Sequence, residues 1–301
     1  MKKFLLFFVL LMFYFALHAV SVSFEYITVL AVERDKQLAL NLAEELYHDI
    51  ERFQQHIGTY QQIPITIVMA RDDKDYATMT ERGSGIIEFS LAFYDHRDKM
   101  IYMKNPRDIR NYNTLRKVLL HEYIHRFLDY HMDNVPLWFH EGMAVFFSED
   151  LSFDRYLNLI ISNILSRTRP LEEMKYRYPK QRMEWESFYA KSALAIRYLY
   201  TNYSHNFFSF WQIAQKESDF NAVFVQSFYI TPDMFSNMFD EYLTKQFRTE
   251  IILASTGLLW VILPLIFLIA LVRRSIKNKK IREKWEEDNI DREMDYDDRI
   301  R

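Results

Sequence analysis

Cysteine is absent from the 301 residues, so no disulfide holds this fold together, although the chain is long enough to bury a core without one. An excess of one charge is missing too: 38 Lys and Arg face 41 Asp and Glu, a formal net charge of −3. Such a balance supplies no broad basic surface, and no nucleic-acid partner is expected. Glycine and proline number five and seven, and neither interrupts the stretch from Thr114 to Tyr130. Nothing there breaks a helix. From Ile251 to Val272 a polar face is what is lacking, which argues against a core or surface helix of a soluble domain.

Within 114–130, apolar residues recur at helical period (Val118, Leu119, Leu120, Ile124, Phe127, Leu128) around His121-Glu122-Tyr123-Ile124-His125. Residues four apart on a helix lie one above the other, so His121 and His125 point the same way and can offer two imidazole nitrogens to one ion. Glu122 is rotated from them by one residue. It is poorly placed as a third tetrahedral ligand and well placed as a general base, and the spacing predicts a Zn2+ site. A chance match would sit on a solvated face, whereas these histidines lie in an apolar helix where unpaired polar groups are costly.

A second apolar helix is expected over Trp138-Phe139-His140-Glu141-Gly142-Met143-Ala144-Val145-Phe146-Phe147, with Glu141 its one carboxylate. A charge embedded there is expensive to bury unless it is paired or bound to a cation. Together the two segments resemble the gluzincin metallopeptidases of the peptidase MA-like type, in which H-E-x-x-H is followed by a Trp-x-x-Glu-Gly-x-Ala segment. The resemblance runs from about Phe24 to Phe247, and outside these two motifs it is weak. It implies that Glu141 completes the zinc site. Side-chain geometry favours Glu141 over its neighbour His140, since adjacent residues on a helix diverge by about 100° and one of the two should face the motif helix. Glu141 shares a face with Trp138, Gly142 and Val145, where Gly142 allows close approach. His140 shares one with Leu137, Ala144 and Phe147 and reads as a packed core histidine.

Thermolysin-like relatives commonly carry an Asp four residues after the liganding Glu to orient a histidine. That position is Val145 here, so the sequence does not name the residue that orients His121. Tyr189, in a segment that resembles the family's Tyr-Ala-x-Ser helix, is a candidate catalytic donor to an oxyanion, or else a structural tyrosine.

At the N-terminus, Lys2 and Lys3 precede an apolar run from Phe4 to Leu17 and the small residues Ala19 and Ser21, the layout of a signal peptide over 1–21. An extracytoplasmic domain is then expected over 22–249, a transmembrane helix over 250–272 and a basic, then acidic, cytoplasmic tail over 273–301. Inside the domain the pattern predicts a strand from Phe24 to Val32 and a long amphipathic helix from Lys36 to Ile57 ending at Gly58. Strands follow at Ile63 to Met69, Ile86 to Phe93 and Lys99 to Met103, with a loop at Gly83-Ser84-Gly85. His56 and His96 read as surface or core histidines.

The expected fold is α+β: a small mixed sheet in the first half packed on the zinc-binding helix, a helical, zincin-like second half, and one C-terminal transmembrane helix. The expected function is that of a membrane-anchored zinc peptidase with a peptide or protein substrate, a lipid bilayer as partner, and the catalytic domain outside the cytoplasm. Two alternatives stand beside it: a zinc-binding scaffold without turnover, and a zinc hydrolase of a non-peptide bond.

Overall fold

The computed structural model describes residues 19–82, 90–164, 168–179 and 182–297. Strands β1 (Ala19–Phe24) and β2 (Ile27–Val32) form an antiparallel hairpin with Ser21 opposite Leu30. The single strand expected from Phe24 is thus the second arm of a pair. Val20 and Val22 give the segment before it the β-branched character that pairing favours. Residues 1–18 of the expected signal peptide lie outside the described residues. Its expected end falls within β1, so a cut at Ala19-Val20-Ser21 would shorten an edge strand.

Helix α1 (Lys36–Ile57) buries Leu42, Leu46, Ile50, Phe53 and Ile57 at steps of three and four, and packs against β1 and β2. It stops at Gly58, whose φ of +70° is a backbone conformation glycine adopts without a Cβ penalty. The Gly58 N–H there meets the carbonyls of Gln54 and Gln55. Strand β3 (Ile65–Met69) runs parallel to β2, and α2 (Asp73–Arg82) follows it. Strands β4 (Ala92–Asp95) and β5 (Met100–Met103) form a second antiparallel hairpin, with β5 parallel to β3. The sheet order is β1-β2-β3-β5-β4, which leaves β4 as an edge. The expected loop at 83–85 and the start of the expected strand, 86–89, lie outside the described residues.

Helix α3 (Tyr112–His131) carries the H-E-x-x-H motif and lies along β4. The Asn111 side chain caps it by accepting from the Thr114 N–H at 3.3 Å, which satisfies one of the helix's orphan donors. Edge-to-face contact of Phe53 with Phe127, centroids 5.1 Å apart, ties α1 to α3. The helical half follows with α4 (Leu137–Phe147), α5 (Phe153–Ile164), α6 (Arg182–Asn202), α7 (Ser204–Ala214), α8 (Phe220–Phe228) and α9 (Pro232–Asp297). Its core is aromatic: Trp138, Phe139, Phe210, Trp211, Phe220 and Phe224 are fully buried. Each such side chain contributes about 1.5–3 kcal/mol by leaving water. The fold is therefore mixed α+β with one small sheet, as the sequence pattern predicts.

The chain divides into two compact units, Met1–Glu241 and Tyr242–Arg301. The second is helical throughout its described part, as the continuation of α9. The transmembrane helix expected over 250–272 falls inside α9, but the side chains of 250–262 lie outside the described residues. Among the described residues, no helix is long and apolar enough to cross a membrane. The described portion of the expected span, Leu263 to Val272, is exposed at every residue and carries no charged or polar side chain.

Candidate metal centre

One helical turn separates His121 from His125 on α3, and their rings stand 4.9 Å apart at 79°. From α4, Glu141 presents its Oε2 to both: 3.4 Å from His121 Nε2 and 3.7 Å from His125 Nε2. One donor atom from each residue lies within 4.8 Å of the other two, so the group can hold a metal ion. Glu141 is 2% exposed, and its Oε2 has no hydrogen-bond partner. A buried carboxylate oxygen without a donor is costly, and a cation is a partner that would satisfy it. The histidine side chains are 14% and 11% exposed, so the cradle is within reach of solvent.

The electrostatics of two of the three donors suit a cation. Burial drives His125 down to about 3, which leaves it neutral at pH 7. Burial opposes a charge on Glu141, yet the two histidines and the Tyr178 hydroxyl more than offset this and hold its carboxyl down at about 2. On His121 burial is likewise outweighed, by Glu141 and Glu122, and its pKa is raised. A lone pair on His125 and a charge on Glu141 are the forms that bind metal.

Glu122 lies beside the cradle, and its Oε2 accepts the Tyr94 N–H of edge strand β4 at 2.9 Å. Burial is the largest cause raising its carboxyl to about 7. Tyr189, on α6, is close enough to feel both carboxylates: burial, then Glu141, then Glu122, push its phenol well above the usual range. The Arg155 guanidinium sits 5.4 Å from its ring centroid. The phenol that reaches the cradle is another one. Tyr178, in the segment between α5 and α6, donates its hydroxyl to Glu141 Oε1 and stacks on Trp185. No periodicity marks Tyr178 among twenty tyrosines, and sequence reasoning missed it.

His140 departs from its expected place. It is not confined to a core face: its Nδ1 lies 3.3 Å from His125 Nδ1, and its Nε2 lies 3.7 Å from Asp129 Oδ1. Both residues of the His140-Glu141 pair meet the motif helix, because their divergence of about 100° places His125 in the fork between them. Burial pushes His140 down to about 4. His96 is a surface histidine with a partner, its Nδ1 2.6 Å from Asp129 Oδ2. Asp129 was also missed as a site residue, although it follows His125 by four residues on the same helix face, a spacing that signals contact.

Gly142 permits a close approach, but to α6 and not to α3. A Cβ there would stand 2.4 Å from the Ser192 carbonyl oxygen and 2.7 Å from Ile196 Cγ1. The first of these is backbone and cannot turn aside. Gly142→Ala is expected to destabilise the chain by about 1–3 kcal/mol through overpacking, measured by urea unfolding. Unchanged stability would mean that α4 and α6 can separate at no cost.

The chain matches no protein-family model and no curated protein.

Proposed function

We propose that the chain is a membrane-anchored zinc peptidase of gluzincin type, with a zincin-like domain in which His121, His125 and Glu141 hold zinc and Glu122 is the general base. One observation carries the reading: the unpartnered Oε2 of Glu141 stands between two histidine nitrogens, with a buried carboxylate of raised pKa beside them. Three donors about 2.0–2.2 Å from a tetrahedral zinc stand about 3.3–3.6 Å apart, close to the two separations to Glu141. Two imidazoles and one carboxylate are also a donor set that zinc accepts while keeping a fourth position open.

Zinc bound there would polarise a carbonyl and lower the pKa of a water. Glu122, its Oε2 anchored on the Tyr94 N–H, would be the group that takes a proton from the attacking water and passes it to the leaving amine. Tyr178 keeps Glu141 turned toward the histidines by occupying its other oxygen. Tyr189, whose phenol burial above all pushes well above its usual range, is the candidate donor to an oxyanion, or else a structural tyrosine.

Attachment to a bilayer is supported by Leu263, Leu265, Ile266, Phe267, Leu268, Ile269, Leu271 and Val272, all of them exposed. A helix apolar on all sides is not a soluble surface helix. Arg273, Arg274, Lys277 and Lys279 follow at once, which supports a cytoplasmic tail and a catalytic domain outside.

The test is turnover of a mixed peptide library by the full chain in detergent, with new ends identified by mass spectrometry. Cleavage that a chelator stops and zinc restores is expected. A folded, zinc-loaded chain that leaves every peptide whole would support the scaffold or the non-peptide hydrolase instead.

A further inference from the structure

We propose that His140, itself oriented by Asp129, is the positioning residue for His125. The inference rests on the reading of His121, His125 and Glu141 as a metal site. His125 faces Glu141 through Nε2, so that nitrogen must carry the lone pair if it is to hold a cation, and the ring proton belongs on Nδ1. Nδ1 lies 3.3 Å from His140 Nδ1. Two nitrogens at that distance share one proton between them, so His140 must accept through Nδ1 and keep its own proton on Nε2. That atom faces Asp129 Oδ1 at 3.7 Å, beyond hydrogen-bond range, where the carboxylate acts as a charge favouring an N–H directed at it.

The other oxygen of Asp129 is taken by His96 Nδ1 at 2.6 Å. His96 stands in the turn between β4 and β5, one hairpin with Tyr94, whose N–H holds Glu122. The same hairpin thus fixes the general base on one side and the charge that orients His140 on the other. Neither helix could do this alone: α3 provides His125 and Asp129, α4 provides His140, and the β4–β5 turn provides His96.

The experiment measures zinc affinity of the full chain in detergent by competition with a chromogenic chelator, for wild type, His140→Phe, His140→Asn and Asp129→Asn. The spectra of the cobalt-substituted proteins are recorded beside it. His140→Phe keeps a flat ring and removes the acceptor, and a loss of about 10–100-fold is expected, as for other outer partners of metal ligands. His140→Asn returns an acceptor oxygen near the position of Nδ1, and should recover affinity and the wild-type cobalt spectrum. A role confined to packing predicts the reverse order, since Asn leaves the larger void.

Asp129→Asn removes the charge while conserving the shape of a half-buried side chain, and its folding is checked beside the wild type. It should weaken zinc in the same direction as His140→Phe. Wild-type affinity in folded His140→Phe or Asp129→Asn, or no recovery in His140→Asn, would overturn the proposal and leave the metal site intact. A wild-type chain that binds no zinc would overturn the metal site and this inference with it.

Discussion

Replacing Glu122 with Gln is expected to leave zinc content unchanged and to lower peptide turnover by about 10²–10⁴-fold or more. The two effects separate because the residues divide the work. Glu122 is not one of the three donors of the cradle, and its Oε2 is held by the Tyr94 N–H. A glutamine carbonyl can accept that same N–H, so the side chain keeps its place. What it loses is basicity, since an amide at neutral pH takes no proton from water. Metal analysis and turnover on the same preparation check the result. Wild-type turnover by the Gln variant would remove Glu122 from the mechanism, and parallel loss of zinc would make it a ligand.

The second large effect is expected at Glu141. Its Oε1 is held by the Tyr178 hydroxyl, and its Oε2 has no hydrogen-bond partner between the histidines. In Glu141→Gln the amide oxygen keeps Tyr178 and the NH₂ group takes the place of Oε2. Two N–H donors then point at His121 and His125, and a lone pair for metal is gone. Zinc affinity should fall by more than the roughly 10–100-fold that an outer partner is worth, with the fold retained, since the shape is conserved and a buried charge is removed. Zinc content after dialysis, compared with His140→Gln, is the check. If Glu141→Gln keeps its metal and His140→Gln loses it, the third ligand has been misassigned.

Much of this architecture was legible in the sequence where a single physical rule governs the pattern. The periods of α1, α3 and α4 follow from apolar residues that must face a core, and their bounds agree with the expected ones within two residues at either end. Glu141 was legible because it is the one carboxylate in an apolar helix. The misreadings occur where two rules compete. Strand β1 was not foreseen because Ala19 to Ser23 closes an apolar run as a signal peptide would, while its alternation also suits a strand. His140 and Glu141 were assigned to different faces on the assumption that one helix meets another along a single line. A histidine lying between two adjacent side chains breaks that assumption. Gly142 was expected to serve the α3 contact, but α4 is covered on more than one side and the closest approach is to Ser192 of α6. Tyr178 was out of reach, because what aims it is an irregular segment with no period to read.

The most direct test is zinc-edge anomalous diffraction from crystals of the full chain, with metal content measured on the same protein. The account predicts one zinc per chain, about 2.0–2.2 Å from His121 Nε2, His125 Nε2 and Glu141 Oε2. Folded protein without zinc, or a peak centred on His140 and Asp129 with the Glu141 carboxylate turned away, would contradict it.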